Sequence, residues 1–411
     1  MVVTEGGITT ESPPMVPQHN IWGILLGFSL FHIAQSIFWQ FGSYYLFAGI
    51  GESAFLLIGL IGGLPVLVGL VGVYLWGMFS DRWRRRLPFS LLGFFAQSVC
   101  FFLYMFIQDS ISFLIATCLA SFFSIAAVPM ANAYLTEART LKGRTVGLLL
   151  STRSLGWAFG AFSGGLLFGL IGMSGLFLFG ALAYLIGGII ILLFVRELPP
   201  AHNLEIHEQN QPKIFLKLTR KLMFRILLII SVAVAIGSIG VNGFSFFFGV
   251  YLISEISGTP FMVGLANGFA SLAGLGVTLL AGTTSDRFGR KPVILLGFLG
   301  YALFMLVYMF ILNPLTATIL WIIPLYPLVY TASYAAAADL SDVERRGRAM
   351  STIATANSLG LGIGPIIGGF LVQNLFITLR GNMVFALTMN LIAFVLVLVL
   401  VPETRHDQES N

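Results

Sequence analysis

Charged side chains are scarce in this chain. Only 9% of its 411 residues are charged, whereas 57% are hydrophobic and 38 are phenylalanine. A soluble domain of this length needs a polar surface that so few charges cannot supply, and long apolar runs are typical of chains whose solvent is lipid. The composition therefore argues against a soluble domain and predicts an integral membrane protein.

Cysteine is almost absent as well. Cys100 and Cys118 each lie inside an apolar stretch, so they provide neither the spacing of a metal site nor a disulfide framework. The apolar stretches also contain no nucleophile–base pair, metal-ligand cluster or phosphate loop. We therefore expect no metal, no cofactor, no enzymatic activity and no direct use of ATP.

Lysine and arginine are missing from the first 20 residues, which contain Glu5 and Glu11. A secretory signal peptide begins with a basic segment before a short apolar core, and this start has no such segment. We predict that residues 1–20 form a disordered cytoplasmic tail. The first apolar segment is then expected to remain as a membrane anchor.

Apolar runs long enough for a membrane-spanning helix of about 20 residues occur twelve times. The sequence therefore predicts an all-α membrane protein with six helices on each side of a polar stretch. The two bundles, the linker between them and the final tail are placed at 21–195, 225–402, 196–224 and 403–411. The runs lie near 22–47, 54–79, 88–107, 111–136, 146–170, 174–195, 225–252, 260–284, 292–312, 316–338, 349–372 and 380–401.

Basic residues are concentrated in alternate loops. Of the 22 Lys and Arg residues, all but Arg153 and Arg380 lie in loops after even-numbered helices, in the linker or in the C-terminal tail. Short loops rich in Lys and Arg stay in the cytoplasm. The pattern thus predicts a multi-pass protein of the cell membrane with both termini in the cytoplasm.

The two halves of the sequence repeat each other. Residues 142–165 match 346–369 with eight identities at a constant offset of 204, and the charged stretches 77–86 and 282–291 match at an offset of 205. Two bundles of the same orientation are therefore predicted to be related by a pseudo-twofold axis along the membrane normal.

The charged stretches GMFSDRWRRR and GTTSDRFGRK contain Asp81 and Asp286, which add little to membrane topology. Helices 5 and 11 begin on the same side, where their positive dipole ends attract carboxylates. We predict that Asp81 contacts the start of helix 11 near Ala349–Thr352. By symmetry, Asp286 should contact the start of helix 5 near Thr145–Leu148.

Each such contact would stabilise the state closed on the cytoplasmic side by about 0.3–2 kcal/mol. The alternative is a solvated ion cluster that only sets the topology. The predicted latch consists of Asp81, Arg82, Arg85, Asp286, Arg287, Arg290, Glu137, Arg139, Arg144 and Arg348.

The same stretches resemble the signature G-x-x-x-D-R-x-G-R-R/K of the major facilitator superfamily. The second copy matches it fully, whereas the first has Arg84 where glycine is usual, so we expect the turn to differ there. The resemblance covers about residues 20–405. It implies a twelve-helix fold, a central cavity and alternating access, and it leaves the substrate open.

Glycine rows on helices 5 and 11 resemble the packing motif of the drug antiporters of that superfamily. Ala161 stands where the motif of helix 5 has proline, whereas helix 11 matches completely. The alternative is tight helix packing with no bearing on the direction of transport. The residues assigned to packing are Gly156, Gly160, Gly164, Gly360, Gly364, Pro365 and Gly368.

Arg153 lies about 10 Å inside the predicted helix 5, at about 1.5 Å per residue. A charge at this depth usually faces water or a partner. One interpretation is an anchor for an anionic substrate, or a partner that responds to protonation elsewhere. The other is an arginine that reaches the cytoplasmic surface or pairs with Glu137. Its repeat mate Asn357 is also polar, which favours a position facing a cavity.

Polar and aromatic side chains on helices 1, 4, 7 and 10 predict a cavity suited to an amphiphilic organic solute. For any single residue, an interhelical hydrogen bond is the alternative interpretation. Asn132, Tyr134 and Tyr334 belong to this pattern. The residues assigned to the cavity are His32, Gln35, Trp39, Gln40, Arg153, Asn242, Ser245, Tyr326, Tyr330 and Asn357.

His32 is the single histidine in the predicted helices, and imidazole titrates near neutral pH. It is the candidate proton site. We predict a secondary transporter that moves a small amphiphilic solute, with proton-coupled, drug-like efflux as the first interpretation. The alternatives are a sugar or organic-anion symporter or facilitator, and a membrane sensor without transport. The expected partners are the substrate, protons and the lipid bilayer, with no nucleic acid, and the protein is expected to be a monomer.

Overall fold

A computed structural model describes residues 18–128, 142–197, 220–342, 345–375 and 378–402. These residues form twelve helices joined by short connections, as an all-α fold predicts. Four residues of the predicted site, Asn132, Tyr134, Glu137 and Arg139, lie outside the described residues. So do both chain ends and most of the predicted linker.

The first half contributes six helices. A helical stretch at Lys142–Phe194 contains two of them, because Gly172 breaks it with φ 64° and ψ −174°. Glycine adopts a positive φ without the steric cost that a Cβ would bring. The helices are α1 Gln18–Tyr44, α2 Phe55–Trp83, α3 Leu87–Tyr104, α4 Ser110–Ser124, α5 at 142–171 and α6 at 173–194.

The second half repeats this plan. Its first helix begins at Arg220, inside the stretch predicted as a linker. α10 is interrupted at 322–325, where Pro324 lacks the N–H that an α-helix needs. The helices are α7 Arg220–Ser245, α8 Pro260–Phe288, α9 Arg290–Tyr308, α10 Pro314–Trp321 with Tyr326–Asp339, α11 Arg346–Asn374 and α12 Arg380–Leu400.

Ten helical stretches of the described chain are long and apolar enough to cross a membrane, and one of them contains both α5 and α6. α4 is shorter at 15 residues, and the chain that follows it at 129–141 is outside the described part. These stretches agree with the twelve apolar runs of the sequence.

The first helix of each half ends in a π-helix. α1 continues as Tyr45–Gly49, and α7 continues through Phe248–Val250 into Tyr251–Glu255. π-Helical turns are rare and often occur at functional positions. Their equivalent placement shows that the repeat extends to the backbone conformation.

Two arginine-rich turns mark one end of the molecule, which we call the basic end. They join α2 to α3 and α8 to α9. Arg290 binds Asp339 at the end of α10, with 2.8 Å between Nε and Oδ2. Glu197, after α6, accepts a hydrogen bond of 2.7 Å from the backbone N–H of Arg86. The ends of α6 and α10 therefore lie beside the starts of α3 and α9. We call the other end the opposite end.

Polar side chains cap the first turn of several helices at the opposite end. Asp109 accepts a hydrogen bond of 2.8 Å from the backbone N–H of Ser112 at the start of α4. This bond lowers the pKa of the Asp109 carboxyl. Thr259 and Asn313 cap α8 and α10 in the same way. These turns are thus fixed by local hydrogen bonds.

Candidate functional site

The two halves contact each other closely at the opposite end. Gly59 and Gly63 of α2 lie against the backbone of α11, where an added Cβ would meet the carbonyl oxygens of Pro365 and Gly362. Small residues let two helix backbones approach this closely. α2 and α11 are therefore packed backbone to backbone at this end.

A second contact joins α5 to α8. Gly165 and Gly264 face each other across it, each within 3 Å of the position that a Cβ on the other would occupy. On the α2–α11 side, the backbone N–H of Leu56 donates a hydrogen bond of 2.9 Å to Gln373. The opposite end is closed on both sides of the central axis.

At the basic end the same helix faces are exposed. On α2, Val71 and Tyr74 continue the face that contacts α11, and both are exposed. On α11, Thr352 and Thr355 continue the facing surface and are also exposed. The halves therefore separate towards the basic end, and the space between them opens there.

Aromatic rings from both halves meet below the closed end. The ring of Trp39 on α1 lies 5.6 Å from the ring of Phe246, just after α7, and 6.4 Å from the ring of Trp157 on α5. Trp39 is half-buried. These three rings form the wall that the two halves share, which we call the aromatic wall.

The other predicted polar residues of α1 lie mainly against α5. His32 and Gln40 are buried, and the Cβ of His32 lies beside Gly156. The imidazole Nδ1 of His32 lies 3.3 Å from Oε1 of Gln35. Ser36 donates a hydrogen bond of 2.8 Å to the backbone carbonyl of Trp157. The polar side chains of α1 thus form largely a packing surface. Gln35 and Trp39 are half-buried at its edge.

In the second half, predicted cavity residues form one hydrogen-bonded group. The hydroxyl of Ser238 lies 2.7 Å from the hydroxyl of Tyr330 and donates a bond of 2.8 Å to Asn357. Asn242 donates to the carbonyl of Ser238, and Ser245 donates to Asn242. These side chains connect α7, α10 and α11.

Tyr326 lies at the boundary between α10 and α8. Its hydroxyl occupies the space beside Gly274, where a Cβ would meet it. The residue is 36% exposed, so one side of the ring faces the open space. Glycine at 274 is therefore required for the ring to lie against α8.

Arg153 is exposed, and its guanidinium acts electrostatically on His32 of α1 and on Tyr326 and Tyr334 of α10. Its charge therefore acts on groups in both halves. Within the described residues it has neither an ion pair nor a hydrogen bond. The predicted pairing with Glu137 concerns a residue outside the described part of the chain.

The glycine rows lie between the first and fifth helices of each half. Gly160 faces the carbonyl oxygen of Ile33 on α1, and Gly364 faces that of Ile239 on α7. The remaining glycines make equivalent contacts. Gly156 and Gly164 lie against His32 and Phe41, and Gly360 and Gly368 lie against Ser238 and Gly243.

The two predicted latch carboxylates pair with arginines of their own turns. Asp81 lies 2.6 Å from Arg86, and its side chain is 69% exposed. Asp286 lies 2.5 Å from Arg290. Within the described residues, neither carboxylate is hydrogen-bonded to the start of α5 or α11 in this conformation. Arg82, Arg85, Arg287 and Arg348 are exposed, and Arg144 lies in α5.

The contact glycines Gly59, Gly63 and Gly264 are not among the residues predicted from the sequence. The G-x-x-x-G spacing of Gly59 and Gly63 is visible there, and it is a known signal for close helix packing. Trp157 is also missing from the prediction, although it lies one helical turn after Arg153. Neither signal identifies the helix that is contacted.

Comparisons with known proteins agree with this geometry. The family model described as Major Facilitator Superfamily matches residues 24–329 and 325–411. An uncharacterized MFS-type transporter of Methanocaldococcus jannaschii is 24% identical over 357 residues, which cover 82% of this chain and 88% of that protein. The class B tetracycline resistance protein of Escherichia coli is 31% identical over 137 residues, or 32% of each chain.

Among solved structures, a bacterial homolog of the human lysosomal transporter Spinster, in an inward-facing and unoccupied conformation, has a TM-score of 0.78. It is 15% identical, and the match covers 93% of this chain and 96% of that one. A likeness at this identity concerns the fold. It confirms the predicted two-bundle architecture.

Proposed function

Because this chain belongs to the Major Facilitator Superfamily, and is therefore a secondary transporter rather than an enzyme, we propose that it exports small amphiphilic organic solutes by alternating access. The observation that carries the proposal is the aromatic wall of Trp39, Trp157 and Phe246, to which both halves contribute. Binding pockets for organic molecules are mostly apolar, with few polar groups that fix orientation.

The proposal places the basic end in the cytoplasm, because loops rich in Lys and Arg stay on that side. The present conformation is then open to the cytoplasm and closed to the outside. A solute would enter from the inside and bind beside the aromatic wall. It would leave after the contacts at Gly59, Gly63 and Gly165 separate.

Two observations support export in exchange for protons. A third of the chain is 31% identical to a tetracycline resistance protein, and the glycine rows pack α5 on α1 and α11 on α7. His32 is the proposed proton site, since its titratable imidazole belongs to a side chain packed between α1 and α5. A positive charge on the imidazole of His32 would then repel the guanidinium of Arg153. The solute also approaches this guanidinium.

The latch residues act in the other state of the cycle. A groove of about 370 Å³ lies between α7 and α11 at the basic end, and Ser351 and Thr352 are among the residues that line it. Asp81 is 69% exposed and pairs with Arg86 in the present state, so its carboxylate would exchange this partner when the end of α2 moves. We expect it to reach the start of α11 when the cytoplasmic side closes.

Flux through proteoliposomes tests the transport proposal. The panel consists of 2-naphthalenesulfonate, 2-naphthalenesulfonamide, N-methylquinolinium and D-glucose, each with and without a pH gradient. We expect saturable flux of naphthalene-sized compounds, and none of glucose. Trp39→Ala should lower that flux about ten-fold or more, because it removes a half-buried ring of the wall.

Trp83→Ala is the matched control, because Trp83 is 65% exposed at the basic end. Equal flux in Trp39→Ala and Trp83→Ala would contradict the proposed pocket. Transport of glucose alone would replace the proposal with the sugar alternative. Solute flux that does not depend on the pH gradient would contradict proton coupling. An unchanged pH dependence of that flux in His32→Ala would contradict coupling through this residue.

Cysteine accessibility tests the latch. In Asp81→Asn, a cysteine placed at Thr355 should react faster with a membrane-impermeant maleimide from the cytoplasmic side than in the parent protein, because the state open to that side gains population. Asp342→Asn, at the same end but outside the repeated turns, is the control. An unchanged labelling rate in Asp81→Asn would mean that the charged stretch around Asp81 only sets the membrane topology.

A further inference from the structure

Arg153 is a charge inside a spanning helix, and no residue that the structure describes pairs with it. It lies about 16 Å along α5 from its start, at about 1.5 Å per residue. Within the described part of the chain, no carboxylate and no hydrogen-bond acceptor lies against its guanidinium. Intramembrane charges are costly and normally pair with a group or face water. Among the described residues nothing pairs with this exposed charge, so it is available to an anionic ligand.

The groups that surround Arg153 do not neutralise it. His32 comes from α1, and Tyr326 and Tyr334 come from α10. None of them is a carboxylate. A guanidinium carries five N–H donors in a planar fork that fits carboxylate, sulfonate and phosphate oxygens. Arg153 is exposed, and the groups on which its charge acts belong to both halves.

A second unused donor lies one helical turn away. The indole N–H of Trp157 is buried and has no hydrogen-bond partner among the described residues. Residues four apart on a helix share a face, so Arg153 and Trp157 lie on the same side of α5. A buried donor without an acceptor is unfavourable and calls for a specific explanation. A ligand that carries several acceptor oxygens would supply it.

The aromatic wall begins at the same indole. Trp157 lies 6.4 Å from Trp39, whose ring lies 5.6 Å from Phe246 of the other half. Solvent does not reach the Trp157 nitrogen in this conformation. A ligand therefore gains this donor only when the side chains that cover the nitrogen move aside.

We infer that the pocket selects aromatic organic monoanions, with the anionic group against Arg153 and an acceptor oxygen on the indole N–H of Trp157. The aromatic body lies against the half-buried ring of Trp39, which the buried ring of Phe246 supports from the other half. This inference rests on the proposed function and narrows its substrate class. The ligand belongs to the carboxylates or sulfonates, because the charge-assisted fork of an arginine binds such groups with two parallel bonds.

Binding measured by calorimetry on the purified full chain tests the inference. The probes are 2-naphthalenesulfonate and its neutral isostere 2-naphthalenesulfonamide. We expect the sulfonate to bind about ten-fold tighter or more, because hydrogen bonds to a charged group are about twice as strong as neutral ones. Arg153→Met should abolish the difference, and Arg153→Lys should retain part of it.

Arg345→Met is the matched control, since Arg345 is exposed at the start of α11 and lies outside the pocket. Trp157→Phe keeps an aromatic, though smaller, ring and removes the N–H, so it should weaken both probes several-fold and leave their ratio unchanged. Equal affinities in the parent protein, or a ratio that survives Arg153→Met, would overturn the anion preference. Unchanged affinities in Trp157→Phe would remove the second donor from the inference.

The proteoliposome panel separates this inference from the proposed function. Transport of the sulfonamide and the quinolinium at rates equal to that of the sulfonate would leave the transporter proposal standing and contradict the anion preference. Absence of flux for all naphthalene-sized compounds would contradict the proposed function itself.

Discussion

Arg153 and Asn357 occupy equivalent positions in the two halves, and their surroundings are opposite. Asn357 accepts a hydrogen bond from Ser238, which in turn contacts Tyr330, so its polarity is used inside the second half. Arg153 has no such partner among the described residues. One copy of the repeat stabilises its bundle at this position, and the other keeps a charge available to the space between the bundles.

The backbone packing around these positions is the same in both halves. Gly160 and Gly364 each face a carbonyl oxygen of the first helix of their half, Ile33 in α1 and Ile239 in α7. The duplicated scaffold therefore keeps its small residues, whereas its polar residues have diverged. Packing constrains every copy, whereas a solute site needs only one charge.

The largest expected effect comes from breaking the shared packing. Gly160→Val and Gly364→Val should each lower the free energy of unfolding by about 3 kcal/mol, because a side chain would be forced against a backbone carbonyl. Size-exclusion chromatography after graded heating measures the loss. Gly169→Val, on the same helix as Gly160, is the control because no atom lies within 4 Å of the added Cβ position. A loss in only one half would show that the packing is not equivalent.

The basic turns give the next effect. Gly289 has φ 98° and ψ 161°, a conformation essentially restricted to glycine, whereas its counterpart Arg84 is left-handed with φ 52° and ψ 34°. Gly289→Ala should lower the free energy of unfolding by about 2 kcal/mol. Arg84→Ala should change it far less. Thermal unfolding of both variants measures the difference, and equal shifts would mean that the two turns are interchangeable.

A smaller effect should separate the two equivalent polar positions. Asn357→Leu removes the acceptor of the Ser238 hydroxyl and should lower the free energy of unfolding by about 1 kcal/mol. Arg153→Leu removes a charge that pairs with no described residue, and it should leave stability unchanged or raise it. Melting temperatures of the two variants, measured in one detergent, test this contrast. A drop for Arg153→Leu as large as that for Asn357→Leu would indicate a structural role for the arginine.

The smallest effect is expected at Arg84. A left-handed conformation costs an arginine more than it costs a glycine. Arg84→Gly should therefore raise the free energy of unfolding by about 0.5 kcal/mol, since the larger unfolded-state entropy of glycine offsets part of the gain. The melting temperature measures this change. A decrease would mean that the Arg84 side chain itself stabilises the turn.

The periodic signals of the sequence predict most of the fold. The apolar runs anticipate all twelve helices, and the offset of 204 anticipates that α5 and α11 play equivalent roles. The start of α7 is predicted less accurately. The basic residues near Arg220 resemble a linker in composition, although they extend the helix. The interruption of α10 is marked by Pro324, which a count of apolar residues does not register.

The site is predicted less completely. His32, Ser36 and Trp39 fall on one polar stripe of α1, but the first two are buried against α5 and the third faces the other half. A polar stripe identifies one face of a helix, but it does not identify the residues that pack against that face. The partners of Asp81 are also beyond sequence reasoning, because they depend on which state of the transport cycle is populated.

By itself, the sequence determined the apolar helices, their duplication and the distribution of charge, since each of these follows from local composition and spacing. Only the tertiary structure decided that Gly59 and Gly63 close one end, that Trp39 meets Phe246, and that Arg153 has no partner among the residues of the described ranges. Such contacts join residues far apart in the chain, and they depend on how two rigid bundles lean against each other.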